Sequence, residues 1–331
     1  MKAPMCIAPF VSPSVSPDGF KLCSSPSMKS FKSLDDWNSE YAQVVRRGLL
    51  NDDPVDVCKT CLSVRSGLGS FNESPDEYRE VVPVNFSTLR IARSNKCDYA
   101  CEMCSAEISS SYDRELNDGK LGIIENDYDL SAHYGEVKSL AVSGGNPVLD
   151  RKLLPIMRDI MSNGVLESII FTSNGSVFPD AFIELFAGSK VKTSLLFSID
   201  AHKEINEVVR KGVKQERFYR TVNHVIDKVG HNPNVAVFLE ITLTKRTLPH
   251  LISLYREIHA NLPVNKIKVW VNLCVFPESL SLASLSAKDR LFLNGRLIPF
   301  FEFEGNAISE SILEHLKTLR YRLATQKTKE L

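Results

Sequence analysis

The chain has 331 residues, 43% of them hydrophobic and 24% charged, which is ordinary globular composition at a length that suits a barrel-sized domain with a smaller appendage. Forty basic and forty acidic residues cancel and no lysine or arginine run stands out, so nucleic acid is not an expected partner. The opening "MKAPMCIAPFVSPSVSPDG" lacks a basic n-region and an apolar h-region, and no run reaches the roughly 18 apolar residues of a membrane span. The expectation is a soluble, cytoplasmic protein with no membrane partner and with reduced thiols.

Residues 1–86 are turn-rich ("VSPSVSPDGF", "LCSSPSMKS", "RSGLGSFNESPDE") around one predicted helix, "SLDDWNSEYAQVVRRGLL", in which Trp37, Tyr41, Val44, Val45 and Leu49 recur at helical spacing. This part has too few apolar runs to build much core alone, and it reads as a small cysteine-rich module. From residue 87 to 275 the pattern changes to short apolar or β-branched runs alternating with helical ones. The predicted strands are "STLRIAR" (87–93), "VKSLAVSG" (137–144), "LESIIFTS" (166–173), "KTSLLFSID" (192–200), "VAVFLEITLT" (235–244) and "KIKVWVNLC" (266–274). Helical stretches such as "LDRKLLPIMRDIMSNG", "ERFYRTVNHVIDKVG" and "LPHLISLYREIHANL" lie between them. Residues 276–331 form a helical extension, with Ile308, Ile312, Leu316, Leu319 and Leu323 along one face of its last helix.

This α/β pattern fits either an open doubly wound sheet or a partial (β/α)6 TIM-like barrel. In a barrel, the loops after the strands surround one mouth, where the chemistry is found. The cysteines favour that arrangement. Seven of the eight fall in two clusters and only Cys274 stands apart, a pattern of metal ligands rather than disulfides. Cys97, Cys101 and Cys104 follow the first barrel strand. Zinc in a closed site takes a fourth protein ligand, and catalytic zinc usually includes histidine. A cubane iron–sulfur cluster suits thiolates, and three of them leave one iron without a protein ligand.

The CxxxCxxC spacing after the first strand of a (β/α)6 pattern resembles the radical S-adenosylmethionine (radical SAM) superfamily. The resemblance implies that these three cysteines hold a 4Fe-4S cluster whose open iron binds S-adenosylmethionine, and that reductive cleavage gives a 5'-deoxyadenosyl radical that removes hydrogen from a substrate. Further matches follow in order. "SGGNP" (Ser143, Gly144, Gly145, Asn146) is similar to the family's Gly-Gly-Glu-Pro, with Asn146 in place of the acid, and glycine there allows close approach of a ligand. "SNG" supplies Asn174. In "SID", Ser198 and Asp200 share one strand face. Arg210 is the implied partner of the methionine carboxylate, and Met103 stands where relatives often put an aromatic residue near the adenine.

Cys6, Cys23, Cys58 and Cys61 form the second cluster, a set that also suits structural zinc. "CIAPF", "PDGFKLC" and "CKTCL" together resemble the SPASM/twitch modules of radical SAM enzymes, which implies an auxiliary 4Fe-4S cluster, although those modules usually follow the barrel. A reducing partner such as flavodoxin or ferredoxin is implied as well. By strand alternation, Glu240 and Thr242 share one face, and Lys268, Trp270, Asn272 and Cys274 another. Cys274 is a candidate hydrogen-atom donor, as in some radical SAM epimerases. The substrate is either a peptide or a small molecule, and the competing reading is a non-catalytic iron–sulfur or zinc scaffold.

Overall fold

The computed structural model of the chain describes residues 6–25, 28–65, 78–274 and 276–326. One sheet organises it. Three short strands come first, β1 (Ser14–Ser16), β2 (Gly19–Lys21) and β3 (Ser30–Phe31). The barrel strands follow: β4 (Thr88–Ile91), β5 (Ser139–Val142), β6 (Ser168–Ser173), β7 (Lys192–Ser198), β8 (Val235–Leu243) and β9 (Ile267–Leu273). Every predicted barrel strand is present, shortened by at most two residues at either end. The spatial order is β9-β8-β7-β6-β5-β4-β1-β2-β3, and all pairs from β9 to β1 are parallel. A parallel series in sequence order is the topology of a partial barrel rather than of a doubly wound sheet, whose order reverses partway.

The helices cover the outer face of the sheet. The main ones are α1 (Glu40–Leu50), α2 (Ser110–Leu116), α3 (Leu153–Ser162), α4 (Asp180–Ala187), α5 (Gln215–Val229), α6 (Leu251–Asn261) and α7 (Ala307–Gln326). In β8, Val237, Leu239, Ile241 and Leu243 are buried, while the residues between them are half-buried. Two wetted and buried faces on one strand mean that helices pack on the outside and a cavity lies inside. On α7, the predicted stripe Ile308, Ile312, Leu316, Leu319 and Leu323 is buried, and Ser311 Oγ donates to the Val269 carbonyl at 2.8 Å. This helix therefore covers the outer face of the last barrel strand. Among the described residues, no helix is long and apolar enough to cross a membrane.

The first residues depart from the expectation of a module set apart at residue 86. β1 hydrogen-bonds in parallel to β4, and Phe10, Val15, Phe20, Trp37 and Val45 belong to the same continuous core as Leu89, Leu140 and Phe171. A short segment with few apolar runs gains stability by extending an existing sheet edge, where each backbone pair it adds is already half made. Arg46 ties this region together. It is fully buried, stacks 4.5 Å above the Trp37 ring, and donates to the Pro9, Trp37 and Glu80 carbonyls and to Asn38 Oδ1 at 2.8–3.0 Å. Burial lowers its pKa to about 10, so it stays charged at neutral pH.

Candidate active site

A cavity of about 520 Å³ opens where the barrel strands end. Its upper wall is the loop after β4, which bears Cys97, Cys101, Met103 and Cys104. Several side-chain bonds shape this loop. Asn95 Nδ2 donates to the Ala106 and Gly122 carbonyls at 3.1 and 2.9 Å, and its Oδ1 accepts from the Ile124 amide at 2.8 Å. Ser109 caps α2 by accepting from the Tyr112 amide, and its hydroxyl also holds the Tyr99 carbonyl at 2.7 Å. Ser111 Oγ donates to the Cys97 carbonyl at 2.8 Å. Ala100–Cys101 pairs antiparallel with Arg210–Lys211, which pins the loop to the far side of the mouth.

The three thiols pack with Tyr99 and Val213 in a small cluster separate from the main core. Burial pushes the Cys97 thiol up to about 11. Cys101 is raised by its hydrogen bond to Cys104 and by burial, whereas Cys104 is lowered because it accepts that bond. Two N–H donors reach the sulfurs: Asn174 Nδ2 is 3.7 Å from Cys97 Sγ, and Arg210 Nη1 is 3.7 Å from Cys101 Sγ. Among the described residues, no group of three or more His, Cys, Asp or Glu side chains surrounds a point that could hold a metal ion.

The residues singled out after the later strands fall into two groups. Ser143, Gly144, Gly145, Asn174, Ser198 and Arg210 line the cavity. Asn146 does not: it is 1% exposed, its side chain bonds Ser173 and Ser176 at 3.1 and 3.0 Å, and it braces the loop from behind. The glycines also have close neighbours within the protein. A Cβ on Gly145 would lie 2.2 Å from the Lys96 carbonyl oxygen, and Gly144 has φ +103°, so these residues let the end of β5 press against the chain's own cysteine loop. Asp200 is completely buried beneath the site. It accepts from Arg210 Nε at 2.6 Å and from the Thr242 amide at 2.7 Å. Burial alone would lower the Arg210 pKa, but the Asp200 carboxylate and the neighbouring thiols raise it. The result is a fixed cation beside the sulfurs.

Glu240, Thr242 and Asn272 line the lower cavity as alternation predicts, whereas Lys268 and Trp270, on the same face of β9, are exposed below it. Glu240 accepts from Ser198 Oγ at 3.1 Å and from Asn272 Nδ2 at 2.8 Å, and burial raises its pKa despite both bonds. Cys274 lies at the cavity wall, buried, with Sγ 3.2 Å from the Phe276 carbonyl oxygen.

Of the second cysteine set, Cys23 lines this same cavity, Cys6 packs half-buried on the core and Cys58 is buried. The Cys61 side chain lies outside the described residues. Burial raises the Tyr41 hydroxyl above its ordinary value, and Cys58 and Cys23 add to the rise. Spacing alone did not reveal Asn95, Asp98, which accepts from Asn174 Nδ2 at 2.8 Å, or the serines around α2. Asp98 acts on another side chain, and the rest act on backbone; neither kind of contact leaves a periodic signal.

No family model matches the chain, and no curated protein matches it. Among solved structures, the chain is similar to native anSMEcpe with bound AdoMet, at 18% identity over 66% of this chain and 62% of that one, with a TM-score of 0.48. It is similar to Streptococcus suis SuiB bound to S-adenosylmethionine, at 17% identity over 63% and 43% of the two chains, with a TM-score of 0.39. It is also similar to Streptococcus suis SuiB bound to precursor peptide SuiA, at 14% identity over 92% and 72%, with a TM-score of 0.47. The part matched spans 62% of anSMEcpe.

Proposed function

We propose that this chain is a radical SAM enzyme of the cytoplasm, with its reaction site in the cavity at the barrel mouth. One observation carries the reading: three thiols from one loop share that cavity with the Gly-Gly turn, Asn174, Ser198 and the buried Asp200–Arg210 pair. The residues suit a 4Fe-4S cluster on Cys97, Cys101 and Cys104. The set is all sulfur, two N–H groups already face the sulfurs, and the Ser105 hydroxyl next to Cys104 is buried with no hydrogen-bond partner among the described residues. With S-adenosylmethionine bound there, that cluster would supply one-electron cleavage to a 5'-deoxyadenosyl radical.

The protein's own share is orientation, charge and exclusion of water. Arg210, held by Asp200, offers a fixed positive charge near Cys101, suited to a carboxylate or to cluster charge. The half-buried turn Gly144–Gly145 presents backbone to the cavity, with Met103 and Ser198 completing the cofactor wall. Cys6, Cys23, Cys58 and Cys61 are proposed to bind a second 4Fe-4S cluster, on the strength of their spacing and of Cys6, Cys23 and Cys58 all packing on one core. A flavodoxin or ferredoxin would deliver electrons. The substrate is a peptide or a small molecule, and Cys274 is the proposed hydrogen-atom donor if the outcome is epimerisation.

Anaerobic reconstitution tests the reading. About eight irons per chain and 5'-deoxyadenosine formed on reduction are expected, while bound zinc without cleavage would overturn it in favour of a non-catalytic scaffold. For Cys274, the expectation is that Cys274→Ala gives no inverted product once the substrate is known. Inversion by that variant would remove the donor role.

A further inference from the structure

A second cleft, of about 450 Å³, lies on the outside of the barrel between the turn that follows β6 and helix α5. Val177, Phe178 and Pro179 form one wall, and Arg217, Arg220 and His224 form the other. The three basic residues recur at spacings of three and four, which puts them on one face of α5, and all three are exposed.

The positive charge of this face is not cancelled. Arg217 and Arg220 have neither a hydrogen bond nor an ion pair with any described residue. The acids around them are engaged elsewhere: Glu216 meets Lys203 at 2.6 Å, and Asp180 meets His224 at 3.4 Å. Further along the helix, Asp227 and Lys228 offset each other in charge.

Hydrogen bonds join the cleft to the cysteine loop. Ser176, which also lines the cleft, donates its amide to Asn174 Oδ1 at 2.9 Å, and Asn174 Nδ2 is in turn 3.7 Å from Cys97 Sγ. The residue after Arg217 packs on the same turn, because a Cβ on Gly175 would lie 2.5 Å from the Phe218 ring. The cleft therefore meets a loop thiol through two hydrogen bonds, and none of its lining residues lines the central cavity.

We infer that this cleft is the docking surface for an acidic flavodoxin that reduces the loop cluster. The inference rests on the proposed function and deepens it by giving the electron donor a surface. Two unpaired arginines select a partner of negative charge. The apolar wall beside them suits the apolar edge of a flavin ring that is surrounded by acidic residues, an arrangement of apolar centre and charged rim common to protein interfaces. One electron leaves the donor's anionic flavin hydroquinone, which becomes the neutral semiquinone, and enters the cluster. No proton and no bond moves. The donor thus works from outside the barrel and leaves the central cavity to cofactor and substrate.

The test begins with binding rather than turnover. Oxidised flavodoxin of net negative charge is titrated calorimetrically into the anaerobically reconstituted full-length protein. Wild type is expected to bind, more weakly as salt is raised. Arg217→Glu combined with Arg220→Glu should weaken binding about ten-fold or more. Lys190→Glu combined with Lys192→Glu makes the same change in net charge at exposed positions at the other end of the barrel and should bind as wild type does. Arg217→Gln combined with Arg220→Gln should weaken binding about three-fold, and it keeps the test open if the charge-reversed protein fails to fold. A second readout is 5'-deoxyadenosine formation, which the arginine variants should slow with flavodoxin but not with excess dithionite. No binding by wild type, equal binding by wild type and the arginine variants, an equal loss in the lysine variant, or an equal slowing with both reductants would overturn the inference. Cleavage by wild type with dithionite reports separately. Cleavage without flavodoxin binding removes only the docking surface, and binding without cleavage removes only the radical reading.

Discussion

The two cysteine sets differ in how the chain assembles them. Cys97, Cys101 and Cys104 lie in one loop whose shape is set locally, by the Cys104 amide donating to the Cys101 carbonyl at 3.0 Å and by the Asn95 and Ser109 brackets. Cys6, Cys23 and Cys58 come from three separate segments, each packed on the core that the first strands share with the barrel. The first set is a property of the loop, and the second is a property of the fold. Disturbing either should therefore give different symptoms.

The largest effect expected is on chemistry. Replacing Cys97, Cys101 and Cys104 with alanine should abolish 5'-deoxyadenosine formation while the fold and about half of roughly eight irons remain. Replacing Cys23 and Cys58 should remove the other half and also lower stability, because Cys58 is buried in the core. Iron content and thermal unfolding, measured on both variants, check this. Equal loss of stability in the two would erase the distinction.

Two buried arginines sharpen the same contrast. Arg210 is neutralised by a buried carboxylate, so Asp200→Asn leaves an uncompensated cation and should cost about 3–5 kcal/mol by denaturant unfolding. Arg46 is held by neutral acceptors and a ring, so Arg46→Met leaves unmatched carbonyls and should cost less, about 2–4 kcal/mol. A smaller penalty is expected from Gly145→Ala. Its Cβ would meet the Lys96 carbonyl, and the adjustment, about 1–3 kcal/mol, would also shift the loop that begins at Cys97. Reconstituted iron per chain should fall with it.

These residues also show how far the sequence is legible. The barrel strands and the stripe on α7 could be read because period-two and helical patterns are imposed by burial on one face, and every residue contributes to them. The three loop cysteines and the "GG" turn are visible because their spacing is local. What the glycines approach is not visible: Gly145 touches Lys96, 49 positions away in the chain, and only the parallel pairing of β4 with β5 brings them together. Asn146 looks like a ligand residue by position, yet the serines at the end of β6 turn its amide inward. The joining of β1 to β4 is similarly hidden. A three-residue strand leaves almost no periodic signal, and its partner lies more than seventy residues further on.

Glu240 offers the finest test of the contrast between loop and fold, because it belongs to the cavity floor rather than to either cysteine set. Burial is the largest influence on it, and its folded pKa is raised above the ordinary glutamate value. Between the unfolded and the folded pKa, the native state binds more protons than the unfolded chain, so stability falls as pH rises through that window. Glu240→Gln keeps acceptor and shape but cannot ionise. The variant should therefore show a flatter dependence of unfolding midpoint on pH, and it should gain on wild type as pH rises above the usual carboxylate range. Thermal melts at several pH values decide it. Parallel curves would mean that the Ser198 and Asn272 bonds hold the carboxylate ionised, and the floor of the cavity would then carry a negative charge.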